Sequence, residues 1–364
     1  MLKEIKNNIK KEKLKILLVG AMQAQDIEFA YKTAFERLGC DVIAIDPQNY
    51  YSVGFLNRVL NKILNLFKAK RVFWGVGNLN QKILGVANKI KPDVVFFGKP
   101  IFIKYKTVVD LQKTRAKVFA WYPDDIFNFR NVTADMYKSI SLFDCNFTPR
   151  IFAVNEFLEI GAKRAEFLPF AANTDLYYRE KVSDEEKEKL GADIVFIGNY
   201  YENYRAEILE KLCKKGYNLK VYGNRWKKFK KGKCLQVKAL MFRPAERNEY
   251  RKVMNSSKIA LAFLSHMNRD QHSHRGFEIT ACGTFLLHER GEEELMFFKE
   301  GVEAEYFSSF EELVEKIDYY LTHEEERKKI AEAGYKKAHS YECSYLARAQ
   351  KIIDVYWELK EKNE

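Results

Sequence analysis

Short apolar runs alternate with amphipathic helical stretches along this chain, and the alternation stops once and starts again. LKILLVG (14–20) is closed by Gly20, and helical spacing follows in Ile27, Ala30, Tyr31, Ala34, Phe35 and Leu38 until Gly39 ends it. Further runs stand at 41–46, 93–98, 117–121, 143–147 and 165–169, with a helical stretch at 79–91. The pattern resumes at 193–198, 218–223, 258–264 and 284–288, with helices near 203–215, 245–256 and 275–282 between the strands. A continuous apolar strand is one buried on both faces, and strands that alternate with helices pair in parallel. The expected class is therefore α/β, with two Rossmann-like, doubly wound halves.

A length of 364 residues suits two such domains. The polar segment 170–192 has no strand pattern and is the expected connection, which puts the first domain at 1–170 and the second at 171–344. Beyond 309 the chain reads as helix, and its last piece, 345–364, is long enough to return to the first domain. A chain that is 47% hydrophobic and 31% charged is neither disordered nor collagen-like. The six cysteines lack the paired short spacing of a zinc site or a disulfide scaffold, so all six are expected as free thiols of a reducing compartment. No run has the length of a signal peptide's core or a membrane span, and a cytoplasmic location is expected.

Neither half opens with G-x-G-x-x-G or G-x-x-x-x-G-K-[ST], so dinucleotide and P-loop chemistry lose their main support. The densest polar cluster is SHMNRDQHSHRGFEITACGTFLLHE (265–289), which leads into a short helix near Gly276. Such a helix start offers free N–H groups and a positive dipole end to an anion. Arg275 adds a fork suited to a diphosphate, and Glu278 could accept hydrogen bonds from the paired hydroxyls of a ribose. Both could equally be ordinary charges at a helix end.

The stretch HRGFEITACGTFLLHE resembles the nucleotide-sugar half of GT-B glycosyltransferases, and is most similar to the CgeB-type spore-maturation family with its pattern R-x-F-E-x-x-A-C-G. WYPDD (121–125), FLPFAANTDLY (167–177), FIGNYYENYRAEIL (196–209), VYGNRW (221–226) and YRKVMNSSKIAL (250–261) agree in order. The resemblance implies two Rossmann-like domains facing a central cleft and a last helix that returns to the first. It implies that Glu278 binds the donor ribose, and that Arg275 with the amides near Gly276 and Phe277 holds the diphosphate. Gly198 and Asn199 would approach the phosphates or sugar, Arg205 is a second diphosphate candidate, and Gly223, Asn224, Trp226 and the loop around Arg243 would line the base.

Related retaining enzymes carry Glu-x7-Glu, and that spacing back from Glu278 falls on Asp270, which leaves the stereochemistry open. Asp124 and Asp125 follow a strand, where either could take the proton of an acceptor hydroxyl or form an Asx turn after Pro123. His272 and His274 alternate with Ser273 and lack metal-ligand spacing, so they are expected near donor sugar or phosphate, or solvated, with no metal and no cofactor.

Two further stretches concern surfaces. FLNRVLNKILNLFKAKRVFWG (55–75) separates apolar from basic positions, as a helix lying on an anionic membrane does, and as a helix packed on its own domain also does. WKKFKKGK (226–233) is a basic run with aromatics, read as a loop rather than a nucleic-acid face. The functional expectation is metal-independent transfer of a sugar from a nucleoside-diphosphate sugar to a glycan, protein or lipid-linked acceptor, without a nucleic-acid partner. Its rivals are a nucleotide-sugar epimerase or hydrolase of the same fold and a non-catalytic basic binding module.

Overall fold

The computed structural model describes residues 13–362 except 52, 230, 232 and 239–246. The chain divides into two compact units, Met1–Pro169 with Leu346–Glu364, and Phe170–Tyr345.

The first unit runs β1 (Lys15–Val19), α1 (Ile27–Arg37), β2 (Asp41–Ile45), α2 (Phe55–Leu66), α3 (Gly77–Ile90) and β3 (Val94–Gly98). It continues through α4 (Tyr105–Gln112), β4 (Lys117–Trp121), α5 (Ala134–Ser139), β5 (Cys145–Thr148), α6 (Ile151–Glu159) and β6 (Ala165–Phe167). The sheet order is β2-β1-β3-β4-β5-β6, all parallel, so the winding reverses between β1 and β3. Strand β3 is buried along its whole length, as its unbroken VVFFG requires. Ile83, Val108, Leu111 and Phe157, from helices, close a core over Leu17, Val95 and Val118.

The second unit runs α7 (Asp184–Leu190), β7 (Ile194–Ile197), α8 (Asn203–Lys214), β8 (Leu219–Tyr222), α9 (Lys233–Lys238) and α10 (Arg247–Asn255). Then come β9 (Ile259–Ala262), α11 (His274–Ala281), β10 (Phe285–Glu289), β11 (Glu305–Phe307), α12 (Phe310–Thr322) and α13 (Glu324–Ala338). The sheet order is β11-β10-β9-β7-β8, again parallel, and the winding reverses between β7 and β9. The last helix, α14 (Tyr345–Glu361), packs with the first unit from Leu346 onward. There Lys351 donates to Phe167 O (2.8 Å), Arg348 Nε to Pro169 O (3.2 Å), and Glu358 pairs with Arg164 (2.7 Å).

The structure adds two elements to the sequence reading and departs from it at the cysteines. Segment 170–192 contains a helix, α7, fixed by a capping box in which Ser183 and Glu186 each bond the other's backbone N–H. Strand β11 was not expected, because its three residues are too short to form a run. Cys213 of α8 and Cys234 of α9 form a disulfide, where six free thiols were expected; packing of the two helices brings their Cα atoms to 6.0 Å across 21 residues of sequence. Cys40, Cys145, Cys282 and Cys343 are free thiols.

Candidate functional site

In a doubly wound sheet, the crevice at the carboxyl ends of the strands opens where the winding reverses. In the second unit that point lies between β7 and β9, whose following loops carry Gly198 and the polar segment leading to α11.

Helix α11 starts on a set of buried polar groups. Ser273 at its N-cap is extended (φ −135°, ψ 152°); its N–H donates to Glu294 Oε2 (3.0 Å) and its hydroxyl lies 2.8 Å from His288 Nε2. His288 Nδ1 is 2.5 Å from Glu289 O, so Nδ1 carries the proton and Nε2 accepts from Ser273. Burial pushes the His288 pKa down to about 4, and the ring is neutral. Burial also pushes Glu294 up to about 7, and its Oε1 has no hydrogen-bond partner. That oxygen faces the backbone of Gly276, where a Cβ would meet it at 2.0 Å. A side chain here would have to displace the carboxyl group that occupies its space.

In the same first turn, the Arg275 guanidinium donates to Glu278, and it lies 5.4 Å from the ring of Tyr250. Burial disfavours charge on Arg275, but Glu278, Tyr250 and Tyr177 more than offset it and hold its pKa above the usual value. Burial, and then Glu278, push Tyr177 upward as well, and the Tyr177 and Tyr250 rings stand 5.1 Å apart. Arg205 on α8 is under the opposite influence. Burial and the positive charge of Arg275 lower its pKa, while Glu202 and Tyr201 raise it, and its Nε is buried without a hydrogen-bond partner. The positive charges of two guanidinium groups on different helices thus oppose each other.

The β7 and β8 loops are tied to each other. Gly198 N donates to Tyr222 O (2.9 Å), Asn224 N to Asn199 Oδ1 (2.7 Å) and Tyr200 N to Asn224 O (3.0 Å). At Gly223 (φ +148°) a Cβ would stand 2.1 Å from Gly198 O, so only glycine permits this approach. Trp226 is buried and donates its indole N–H to the same Gly198 oxygen (2.9 Å), which makes it a support of the loop rather than a stacking surface for a base. Trp226 and Phe229 both enter the core, so the basic run 226–233 presents no row of aromatics. Arg243 lies outside the described residues.

His272 is likewise interior. Its Nε2 accepts from Phe170 N (3.3 Å) and its Nδ1 lies 2.6 Å from Glu293 Oε2, so both nitrogens serve the fold instead of a donor. His274, the first residue of α11, is half-buried with its ring 5.6 Å from that of Phe170. Phe277 is packed against Phe297 and Phe298, which leaves only its backbone to face a ligand. Asp270 sits half-buried on the approach to α11, its N–H donating to Ser265 O (3.1 Å).

Sequence reasoning missed a second polar group beside this loop. Glu289, at the end of β10, accepts from Leu264 N (2.9 Å) and pairs with His266 (2.7 Å), whose ring lies 4.6 Å from Tyr204. Burial, followed by Glu289, pushes Tyr204 up to about 12. Tyr201 is exposed, with Arg225 5.0 Å and Arg205 5.9 Å from its ring. Their signals in the sequence were the ends of the polar cluster 265–289, which hold His266 and Glu289, and the run NYYENYR, as aromatics crowded at the start of a helix.

In the first unit, Asp124 pairs with Lys99, a residue with φ +51° just past β3. Asp125 is buried and accepts from Phe127 N (3.0 Å), so it forms the Asx turn. Sequence reasoning also missed Glu28, in the first turn of α1. It lies where the winding reverses, against Gly20 after β1 and Gly98 at the end of β3. A Cβ at either glycine would meet the Glu28 Cγ, at 2.4 and 2.2 Å. Burial raises the Glu28 pKa to about 7; its own backbone N–H and Lys99 lower it, and Asp26 and Asp46 raise it.

Residues 205–354 match the family model described as glycosyl transferase-like. No curated protein sequence matches the chain. Among solved structures, it is similar to a glycosyltransferase from Rickettsia africae (TM-score 0.66, 16% identity, 95% of this chain and 98% of that one). It is also similar to sucrose-phosphate synthase from Thermosynechococcus elongatus (TM-score 0.65, 12% identity, 96% and 100% covered). A third is Anabaena HepE in complex with UDP and glucose (TM-score 0.61, 12% identity, 95% and 100% covered). At these identities the likeness is one of fold: two units of Rossmann-like parallel sheet, the architecture of GT-B glycosyltransferases.

Proposed function

We propose that this chain is a glycosyltransferase that moves a sugar from a nucleoside-diphosphate sugar to an acceptor hydroxyl, with the donor held by the second unit. The observation that carries the reading is the unpartnered buried Nε of Arg205, on which the charge of Arg275 also bears, at the carboxyl ends of β7 and β9. Two repelling guanidinium groups beside a helix N-terminus are stabilised by a bound dianion, and a diphosphate is one. The glycosyl transferase-like match over 205–354 covers both arginines and supports the reading.

In this proposal the bond between the anomeric carbon and the diphosphate oxygen breaks while one to the acceptor oxygen forms. Arg275, Arg205 and the first N–H groups of α11 offset the charge that collects on the leaving diphosphate, without a metal ion. Glu278 accepts from the ribose hydroxyls, and Gly198, Asn199, Gly223 and Asn224 supply backbone and amide groups beside them. Asp270 is proposed for the donor sugar and Asp124 as the group that receives the acceptor's proton. The motif R-x-F-E-x-x-A-C-G over 275–283 supports our further proposal that the chain is related to the CgeB-type enzymes.

Calorimetric titration with UDP, GDP, dTDP, ADP and CMP tests the donor site. One nucleoside diphosphate is expected to bind, and to bind poorly to Arg275→Ala; equal affinity of both proteins for every nucleotide would overturn the assignment. Turnover of the matching sugar nucleotide with and without added acceptors separates a transferase from an epimerase or hydrolase, which consumes or converts the donor unaided.

A further inference from the structure

Helix α2 is turned the opposite way from a helix that covers its own core. Asn57 is its only buried residue, and its amide pairs with Tyr51 Oη (3.1 Å). Asn61 closes the same side, donating to Val72 O (2.7 Å) and accepting from Val72 N (3.0 Å). The amide side of the helix therefore faces the protein and its apolar side faces outward. Phe55, Leu56, Leu66 and Phe67 are exposed by 71, 71, 82 and 78%, with Val59 and Ile63 between them at 37 and 47%. At 100° per residue these six positions form one continuous stripe. Trp74, just beyond, is 57% exposed. Isolated exposed apolar residues are ordinary, but a contiguous stripe of this kind marks an interaction surface.

The charge around the stripe indicates what covers it. No Asp or Glu occurs between Asp46 and Asp93, whereas Arg58, Lys62, Lys68, Lys70 and Arg71 lie on or just after the helix. A second copy of this chain would bring the same cations against one another across a two-fold contact, which is unfavourable. An anionic surface with an apolar layer beneath it satisfies both features at once. No helix of the described residues is long and apolar enough to cross a membrane, and the 12 residues of α2 would fall short of a bilayer's thickness.

We propose that α2 lies in the plane of an anionic phospholipid bilayer, its apolar stripe at the acyl-chain boundary and its Lys and Arg side chains among the headgroups. The first unit thus places the enzyme at a lipid surface, where a lipid-linked acceptor would be concentrated.

Flotation of the purified full-length protein with vesicles tests this without nucleotide, so its result is independent of the donor-site reading. Vesicles of equimolar phosphatidylcholine and phosphatidylglycerol should carry the protein, and vesicles of phosphatidylcholine alone should carry at least about tenfold less, as should the anionic vesicles in molar salt. The double variant Leu66→Glu, Phe67→Glu and the charge-reversed Lys62→Glu, Lys68→Glu should each lose at least about tenfold, with thermal melts unchanged because all four side chains are exposed. Equal binding to both vesicle types, no binding to either, or unchanged binding by the Leu66→Glu, Phe67→Glu variant overturns the proposal. So does a dimer in light scattering that this variant dissociates, which would assign the stripe to a second copy.

Discussion

The Glu294 carboxyl group stands against the backbone of Gly276, occupying the space where any other residue would carry its β-carbon. This contact joins the buried support of α11, made by Glu294, Ser273 and His288, to the first turn of the helix. Gly276→Ala forces a methyl group to within 2.0 Å of Glu294 Oε1. Helix α11 must then shift or Glu294 must leave Ser273 N. A loss of about 1–3 kcal/mol in stability is expected from overpacking, measured by chemical denaturation. Nucleotide affinity should fall with it, because the displaced helix start carries Arg275. A variant as stable as the parent would show that Glu294 moves aside without cost.

The pairing of Arg275 with Glu278 predicts different effects for two neighbouring substitutions. Arg275→Ala removes a charged hydrogen-bond donor, and nucleoside-diphosphate affinity should drop by about 10–100-fold, or roughly 1.5–3 kcal/mol. Glu278→Ala removes the proposed ribose acceptor and also releases Arg275 from a competing carboxylate. It should therefore weaken the nucleoside diphosphate yet bind inorganic pyrophosphate at least as well as the parent. Titration of both ligands into both variants checks this, and parallel losses for Glu278→Ala would show that Glu278 acts only by holding Arg275.

The strands were legible because parallel strands are covered on both faces: DVVFFG and DIVFIG can be little else. Segment 275–278 was legible as well, since residues at a helix start are neighbours in sequence and in space. What was not legible depends on contacts between distant residues. Trp226 and His272 look like surface aromatics in their local sequences, and only the fold shows their polar atoms taken by Gly198 O and by Phe170 N with Glu293. Glu28 reads as one more charge on an amphipathic helix until the two glycines from β1 and β3 enclose it. For α2 the sequence separates apolar from basic positions but does not reveal which side its own domain takes. The asparagines decide that, through bonds to Tyr51 and Val72.

The disulfide between Cys213 and Cys234 closes a segment that joins α8 to α9. Cross-links of this span stabilise mainly by restricting the unfolded chain, by about 3 kcal/mol for a loop of this order. Cys213→Ser with Cys234→Ser, or reduction by dithiothreitol, should lower stability by about that amount in denaturant titrations. The variant should then no longer respond to the reductant. A parent protein unaffected by reductant would mean that the two thiols contribute to the packing of α8 and α9 without being cross-linked.

Glu28 gives the first unit a proton-linked stability with a defined sign. Burial raises its folded pKa from 4.5 to about 7, so folding takes up a proton between those two values. Stability contributed by the neutral form is complete at low pH, declines as pH rises through that window, and above about 7 the buried charge costs its full amount. Asp26 and Asp46 add to this cost, while Lys99, paired with Asp124, reduces it. Glu28→Gln is neutral at every pH and should be more stable than the parent at pH 8 by up to about 3 kcal/mol, the equivalent of the shift at 1.36 kcal/mol per unit. Near pH 4.5 the two proteins should agree. Glu294 titrates in the same range, raised to about 7 by its own burial, so the measurement compares Glu28→Gln, Glu294→Gln and the double variant at both pH values. The two carboxyls lie in different units, and their effects should add. A Glu28→Gln variant that gains nothing at pH 8 would show that the carboxylate between Gly20 and Gly98 is already well solvated, and that the reversal point of the first sheet is open to water.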